Sequence, residues 1–557
     1  MLTRMTAYWV ARGARVRLKH FRSRLRQCRS VQHQLLLRIL RANAASDFGR
    51  EYGFSRIRSY PDFLQALPLA NYSRFAPYID RCRRGENHAL FGPGQRILQF
   101  ALTSGTTARA KYIPVTEAFL QGYRHGWDIW GVKALSDHPR GYLRKILQVS
   151  SPGDESRTEM GVPCGAISGL LAERQSRIVR RFYVLPPETA HISAAAARYY
   201  AIMRFAMPED IGFISTANPS TVLKLARTGA ENAARLVQDI HDGTLWPELE
   251  IAPELRTRLK RRLRPNVKAA ARLGKLLERH GSLLPMHYWN LAFLANWTGG
   301  TLSLYLPHLG QYFGNVPIRD IGLLASEGRL TVPFEDNTPA GVLDVTSNFY
   351  EFVPQEEYEA VGDVDARDTL DFDFTVYQAA QLERGCCYYV FLTNYAGLYR
   401  YNLGDLVRVT DHIDGTPVIE FLSKGAHGSS ITGEKLTEKQ VVDAVHTAAD
   451  ELAIAFESFI MVPEWGDPPA YRLYLESTAI IPRRNLDQFA ARIEQRLTTA
   501  NLEYDSKRAS ERLGPLQVRQ VPVGFLARRD LALMQENCGR QEQFKHRFLY
   551  NRPLDLD

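Results

Sequence analysis

The sequence predicts an α/β protein with a large N-terminal domain at 1–422, a linker at 423–430 and a small C-terminal domain at 431–557. Three observations carry this reading. The 557 residues exceed what a single hydrophobic core serves. The middle of the chain alternates apolar strand-like runs with helical stretches. The run from Ser423 to Ser430 is small, polar and glycine-rich, and the pattern changes style beyond it.

Taken in order, residues 1–46 read as helical. A loop-rich stretch follows through Tyr60-Pro61 and Pro68. Strand Ile97–Leu102 leads into a run of hydroxyls, and a helix from about Thr116 to Lys133 carries Phe119, Leu120, Tyr123, Trp127 and Trp130 at helical spacing. Ile211–Thr216 followed by Asn218-Pro219-Ser220 is the strand, cap and helix order of an α/β unit, with Pro219 suited to a helix start. Residues 255–280 read as a solvated basic helical pair broken at Pro265. From Gly341 to Phe421 the pattern turns to strands: Val342–Phe352, Cys386–Thr393, Leu398–Tyr401, Leu406–Val409 and Val418–Leu422. Beyond the linker, Thr437 and Gln440 form a capping-box pattern for a helix through Leu452. Strands Phe459–Val462 and Leu473–Leu475, a helix with Leu486, Phe489, Ala490, Ile493 and Leu497 on one face, strand Leu516–Val521 and a final helix complete the second domain.

Composition narrows the function classes. With 45% apolar and 23% charged residues the chain needs neither disorder nor a fibrous architecture. No window approaches the ~18 continuous apolar residues of a membrane span. The N-terminus carries eight arginines and one lysine before Val31, lacks a signal-peptide core, and meets its first acid at Asp47. Such an arm suits a membrane or a polyanion; a solvated helix face leading into Leu36, Ile39 and Leu40 is the favoured reading. The net charge of +10, from 70 basic and 60 acidic residues, suits anionic small molecules and polyanions alike. The six cysteines form no C-x-x-C pair, which fits a reducing cytoplasm. Vicinal Cys386-Cys387 reads as part of a buried strand. Fourteen histidines form no metal-binding spacing, so a structural zinc is not expected.

The most informative stretch is Leu102-Thr103-Ser104-Gly105-Thr106-Thr107-Ala108-Arg109-Ala110-Lys111. Hydroxyls and unhindered backbone N–H groups bind phosphate oxygens, and a lysine adds a charge that follows the phosphates. The run is not a Walker A loop, and no dinucleotide fingerprint opens a helix elsewhere. It points to a nucleotide triphosphate.

Five more runs join it in a fixed order: Ala217–Thr221, Leu324-Ala325-Ser326-Glu327-Gly328, Asn348-Phe349-Tyr350-Glu351-Phe352-Val353-Pro354, Gly397-Leu398-Tyr399-Arg400-Tyr401-Asn402-Leu403-Gly404-Asp405 and Ile431–Glu438. The ordered set resembles the plant auxin-responsive (GH-three-type) acyl acid amido synthetases and their bacterial relatives, a branch of the adenylate-forming enzymes. The resemblance extends from about Gln34 to Arg547.

The resemblance implies an adenylate-forming (firefly luciferase-like) architecture: a large N-terminal domain with mixed sheets and a β-subdomain, and a small mobile C-terminal α/β domain hinged at 423–430. It also implies two half-reactions. ATP and a carboxylic acid give an acyl-adenylate and pyrophosphate; an amine, usually of an amino acid, then gives an amide and AMP. Carried over residue by residue, Ser104, Gly105, Thr106, Thr107 and Lys111 would hold the phosphates, with Ser326 near the α-phosphate. Glu327 would ligate Mg²⁺, a cation that takes oxygen donors. Phe349 and Tyr350 would lie against adenine. Asp405 would accept both ribose hydroxyls, as a fixed carboxylate can. Lys424 stands at a hinge position that is commonly arginine in the family. Lys545 would reach the adenylate and stabilise developing charge. Tyr123, Arg124 and Trp127 are the acyl-substrate candidates, the aromatic stripe suiting a flat acid and Arg124 a second acidic group. Two other readings stand beside amide synthesis: transfer of the acyl group to coenzyme A or a carrier thiol, and a non-catalytic protein that binds a membrane or polyanion through its basic arm. The retained Ser326-Glu327 pair and Asp405 argue against the latter.

Overall fold

Helix Leu2–Leu25 opens the chain and is immediately followed by helix Cys28–Asn43. The second helix buries Leu36, Ile39 and Leu40, the spacing read from the sequence, and with them Val31 and Leu35. The first is more than a solvated arm: Phe21 and Leu25 have no exposed surface. The computed structural model describes residues 2–103, 111–150, 152–175, 177–299, 306–361, 364, 367–424, 428–429, 434, 436–464, 466, 468–509, 513–536, 546–550, 553–554 and 556.

The chain divides into two units, Met1–Leu403 with Val407–Phe421, and Gly404–Leu406 with Leu422–Asp557. Among the described residues the first holds four sheets, one of them a two-stranded hairpin, and two cores. Strand Ile97–Thr103 lies between antiparallel Lys111–Thr116 and parallel Pro163–Gly165. Thr116 caps the helix Glu117–Asp137 through its hydroxyl, which runs four residues beyond the expected end. An all-parallel sheet orders Lys145–Gln148, Ile211–Ser215, Phe293–Ala295 and Ile318–Arg319. As the sequence pattern predicts, Pro219 begins the helix after the second of these. Helices Pro253–Lys260 and Val267–His280 do form, but they are not simply solvated. Leu259, Leu263, Ala269, Ala270 and Leu273 join the core against the parallel sheet, and only the charged faces meet water.

The largest sheet contains, in spatial order, Thr331–Val332, Gly341–Leu343, Thr416–Lys424, Tyr401–Ile413, Cys387–Thr393, Phe349–Pro354 and Tyr377–Gln378. Two strand readings change here. The run Val342–Phe352 splits at Asp344, whose carboxylate accepts from Thr346 N and Oγ1 and from Ser347 Oγ, closing a local turn. Of the run Leu398–Tyr401 only Tyr401 is strand, and from it one long strand continues through Leu406–Val409 to Ile413. Its partner is reached through Asp414-Gly415, both at positive φ (52° and 82°), the backbone a tight hairpin demands. Cys386 is exposed and Cys387 half-buried, so the vicinal pair is not core: Gly385, at φ 88°, turns the chain out just before the strand starts.

In the second unit strands Ser458–Glu464, Ala470–Glu476 and Gln517–Val521 form one sheet, antiparallel then parallel. Helix Glu438–Leu452 starts at the expected Thr437/Gln440 capping box. Helix Arg483–Ala500 buries the predicted Leu486, Phe489, Ala490, Ile493 and Leu497. Of the expected linker, Ser423 and Lys424 end a strand, and Gly428–Ser429 pairs with Leu436–Thr437. Among the described residues no helix is long and apolar enough to cross a membrane.

Candidate active site

Ser104, Gly105, Thr106 and Thr107 lie outside the described residues, but both ends of their segment are fixed. Thr103 and Lys111 are paired across the antiparallel strands. The Lys111 ammonium lies 5.5 Å from the centre of the Tyr72 ring. Tyr72 is locked in turn: its hydroxyl accepts from Tyr112 N at 2.8 Å and donates to Tyr112 O at 3.2 Å. Burial, with smaller help from the charges of Asp80 and Glu327, pushes the Tyr72 hydroxyl up to about 12, so it stays protonated at neutral pH.

Ser326 and Glu327 form the two-residue turn of a hairpin, Leu324–Ala325 with Gly328–Arg329. Glu327 is 6% exposed. Its Oε1 accepts from Tyr401 Oη at 3.2 Å, and its carbonyl accepts from Asn394 Nδ2 at 2.6 Å. Side chain and backbone are therefore both anchored, which orients a carboxylate before any cation arrives. A buried carboxylate with one neutral donor on the recorded oxygen is chemically suited to a hard divalent cation. Gly328 lets the hairpin approach: a Cβ there would lie 3.0 Å from Asn348 Oδ1. Asn348 Nδ2 donates to Arg329 O at 2.9 Å, tying the hairpin to the next motif.

The Phe349-Tyr350 pair is closely packed: Phe349 is 1% exposed and Tyr350 has no exposed surface. Phe349 packs near Tyr60 and Phe63. The Tyr350 hydroxyl donates to Arg329 O at 3.1 Å, and its backbone N–H donates to Gln32 Oε1 at 2.9 Å. Both rings stand on a central strand between two neighbours, so alternation buries each of them on its own side of the sheet. Through its hydroxyl Tyr350 is tied to the hairpin that carries Glu327.

The run Gly397–Asp405 is likewise a set of buried ties that sequence reasoning assigned only at its last residue. Tyr399 Oη accepts from Asn43 Nδ2 at 2.8 Å. The Arg400 Nε sits 3.0 and 3.1 Å from the two oxygens of fully buried Glu351, and Nη1 donates to Leu67 O. Tyr401 holds Glu327. Asn402 Nδ2 donates to Asn71 Oδ1 and Tyr358 Oη, both at 2.8 Å. The signal was present in the sequence: polar and aromatic residues in unbroken succession require partners once buried. The partners are between 44 and 356 positions away, so only folding names them. Asp405 itself is 4% exposed on the long strand. Lys424 ends the neighbouring strand, and Lys545 lies outside the described residues.

On helix Glu117–Asp137, Tyr123 is buried and its hydroxyl stands 3.4 Å from Ala325 O, so this helix abuts the Ser326-Glu327 hairpin. Trp127 is half-buried, edge-on to Trp130 at 5.3 Å, with the Arg329 guanidinium 4.6 Å above its ring. Arg329 has no exposed surface, and burial pulls it down to about 10, still protonated at neutral pH. Gly126 makes room for it: a Cβ there would meet Arg329 Cδ at 2.4 Å. Arg124 Nη2 donates to Arg174 O at 2.6 Å, at the C-terminal end of helix Ile167–Glu173.

This arrangement meets its relatives along nearly its whole length. The GH3 family N-terminal domain matches residues 17–318, the GH3 family central domain 341–424 and the GH3 family C-terminal domain 439–553. A jasmonoyl–L-amino acid synthetase, GH3.5 of Oryza sativa subsp. japonica, is 25% identical over 534 residues, covering 91% of this chain and 90% of its own. The indole-3-acetic acid-amido synthetase GH3.10 of Arabidopsis thaliana is 24% identical over 553 residues, covering 92% and 91%. The solved structure of the AtGH3.15 acyl acid amido synthetase in complex with 2,4-DB superposes with a TM-score of 0.82 at 18% identity, over 96% of this chain and 94% of that one. The fold is therefore theirs, and with one domain match alone spanning more than half of the sequence, the chain belongs to the GH3 family.

Proposed function

We propose that this protein is an ATP-dependent acyl acid amido synthetase that joins a small carboxylic acid to the amine of an amino acid. The observation that carries the reading is Glu327: a buried carboxylate at a two-residue turn, tied at side chain and backbone, on the hairpin that the aromatic helix abuts. Its relatives are named as amino acid synthetases of jasmonoyl and indole-3-acetyl groups, which supports the same bond here.

In the first half-reaction the acid's carboxylate oxygen attacks the α-phosphorus of ATP and pyrophosphate leaves. In the second, a neutral amine attacks the acyl carbon, AMP leaves, and the nitrogen releases a proton. The carboxylate is already a nucleophile, so the chain's task is positioning and charge neutralisation. Ser104, Gly105, Thr106, Thr107 and Lys111 are assigned to the phosphates, with Ser326 at the α-phosphate. Asp405 is assigned to the ribose, Lys424 to the nucleotide and Lys545 to the charge that develops during adenylation. Glu327 is assigned to Mg²⁺, which when bound neutralises phosphate charge. Trp127, braced by Arg329 and Trp130, is the chosen wall for a flat acyl group. The thiols of Cys28 and Cys82 are buried and pushed up by that burial, which suits a reducing cytoplasm as the place of action.

The test is a screen with ATP, Mg²⁺, and indole-3-acetic acid, jasmonic acid, 2,4-DB and other aromatic and aliphatic acids, each with the twenty amino acids. Acid-dependent pyrophosphate release and an amide seen by mass spectrometry are expected. A thioester formed with added coenzyme A in place of an amide would move the assignment to thiol transfer. An absence of ATP–pyrophosphate exchange across the panel would overturn adenylation itself.

A further inference from the structure

Arg400 stands in left-handed backbone, at φ 49°, a conformation that costs free energy to any residue with a Cβ. Asp414 and Ala453 share it, but at a hairpin turn and a helix end, where the chain must reverse or stop. Arg400 is 5% exposed and directly precedes the strand Tyr401–Ile413. A strained residue persists only where its surroundings over-determine it, and every polar group of Arg400 is engaged. Its N–H donates to Thr393 Oγ1 at 2.8 Å, and its carbonyl accepts from Ala70 N at 3.0 Å. Nε and Nη2 each lie 3.0 Å from Glu351 Oε1, and Nη1 donates to Leu67 O at 2.7 Å. Glu351 has no exposed surface and accepts also from Tyr60 Oη at 2.9 Å.

The bend that Arg400 closes carries both groups that hold Glu327. Strand Cys387–Thr393 gives way to Asn394, whose Nδ2 donates to Glu327 O at 2.6 Å. Tyr401 opens the next strand, and its hydroxyl donates to Glu327 Oε1 at 3.2 Å. Between them Asn394 N donates to Leu398 O at 3.0 Å, and Ala396 N donates to Asn394 Oδ1 at 2.9 Å. Arg400 is the last joint before Tyr401. An extended φ of about −120° there would rotate the chain beyond it by roughly 170° and carry the Tyr401 ring off Glu327. The same bend reaches the acyl-substrate helix: Thr116 Oγ1, which caps helix Glu117–Asp137, donates to Tyr395 O at 2.9 Å.

We propose that Arg400 is a positioning residue for adenylation: its fork on Glu351 holds the left-handed backbone at the mouth of the bend, so that Tyr401 and Asn394 present the Glu327 carboxylate to Mg²⁺. This rests on the assignment of Glu327 to Mg²⁺ made above. The chemistry of the pair suits orientation more than adhesion. A buried ion pair adds little net stability over apolar side chains of the same volume. A guanidinium, however, meets a carboxylate through a planar, directional fork that a lysine ammonium lacks. Metal ligands depend on such partners: altering the group that orients a ligand weakens metal binding by about 10- to 100-fold.

Six full-length proteins test the proposal: wild type, Arg400→Lys, Tyr401→Phe, the double variant of these two, Arg400→Met/Glu351→Leu and Glu327→Gln. The first readout needs no acid, nucleotide or metal. Backbone hydrogen exchange should show the hairpin Leu324–Arg329 losing protection in Arg400→Lys and in Tyr401→Phe, with helix Val267–His280 unchanged. The second readout is the Mg²⁺ concentration that gives half-maximal ATP–pyrophosphate exchange with the best acid of the screen. Arg400→Lys and Tyr401→Phe are each expected to raise it about 10-fold, and the double variant no further, because one residue acts through the other. Arg400→Met/Glu351→Leu removes both charges; its thermal midpoint should stay within a few degrees of wild type while its Mg²⁺ requirement rises at least as much. Arg400→Lys, which keeps the charge, decides the case if the apolar pair does not fold. A lowered midpoint with wild-type Mg²⁺ dependence would make Arg400 a structural residue only. Additive effects in the double variant, or unchanged protection of the hairpin, would likewise overturn the positioning role. Wild-type Mg²⁺ dependence in Glu327→Gln would instead remove the metal assignment, while a hairpin deprotected in Arg400→Lys would still show that Arg400 holds Glu327 in place.

Discussion

Glu327→Gln is expected to abolish acid-dependent ATP–pyrophosphate exchange, with a loss of at least about 100-fold, the scale of removing one electrostatic stabiliser from a preorganised site. Glutamine keeps the shape of the side chain and an oxygen to accept from Tyr401 Oη, so the hairpin Leu324–Arg329 retains its ties to Tyr401 and Asn394. What disappears is the negative charge that a hard cation requires. The thermal midpoint should stay within a few degrees of wild type, because the Tyr401 hydroxyl keeps its acceptor and a side chain of equal size opens no cavity. Titrating Mg²⁺ separates two outcomes. Recovery of exchange at high Mg²⁺ means Glu327 sets metal affinity; no recovery at any concentration means it also fixes the geometry of the phosphates. Wild-type exchange at low Mg²⁺ would remove Glu327 from the metal and leave it a structural acid.

Removing residues 1–25 is expected to destroy the fold of the first unit, against the reading of this arm as a solvated helix face. Phe21 has no exposed surface and lies 6.2 Å from the His125 ring and 6.3 Å from the Phe334 ring. Leu25 is equally buried, and its carbonyl accepts from Thr416 Oγ1 at 2.8 Å. Arg22 and Arg26 both reach Asp414 at the hairpin turn, and the Arg22 bond foremost holds that carboxyl below its usual range. Truncating a buried phenylalanine costs about 3–5 kcal/mol and a buried leucine about 2–5 kcal/mol. Together these rival the 5–15 kcal/mol that separates a typical folded domain from its unfolded chain. The double variant Phe21→Ala/Leu25→Ala should shift the urea midpoint strongly downward, and the deletion should be recovered as aggregate. A soluble deletion protein with wild-type exchange would return the arm to its solvated reading. The exposed arginine pairs with Asp414 contribute little by comparison, so Arg22→Ala should move the midpoint slightly.

The sequence by itself determined a good deal. Helical spacing marked Leu36 through Leu40 and Leu486 through Leu497, the Thr437/Gln440 box marked a helix start, and alternation of strands and helices marked the α/β class. These signals are local, and a period or a cap is written within a few residues. The ordered motifs gave the family, because spacing along a chain survives where identity falls to a quarter. Tertiary structure decided where each motif residue stands. It buried Phe349 and Tyr350 within the sheet, bonded Arg124 to the Arg174 carbonyl, and made Phe21 and Leu25 of the basic arm part of the core. It also brought forward Tyr401, Asn394 and the Arg400–Glu351 pair as the frame around Glu327. The reason is distance. Burial and hydrogen-bond partnership are relations between residues tens to hundreds of positions apart, and a linear pattern records which groups need partners without recording which ones they obtain.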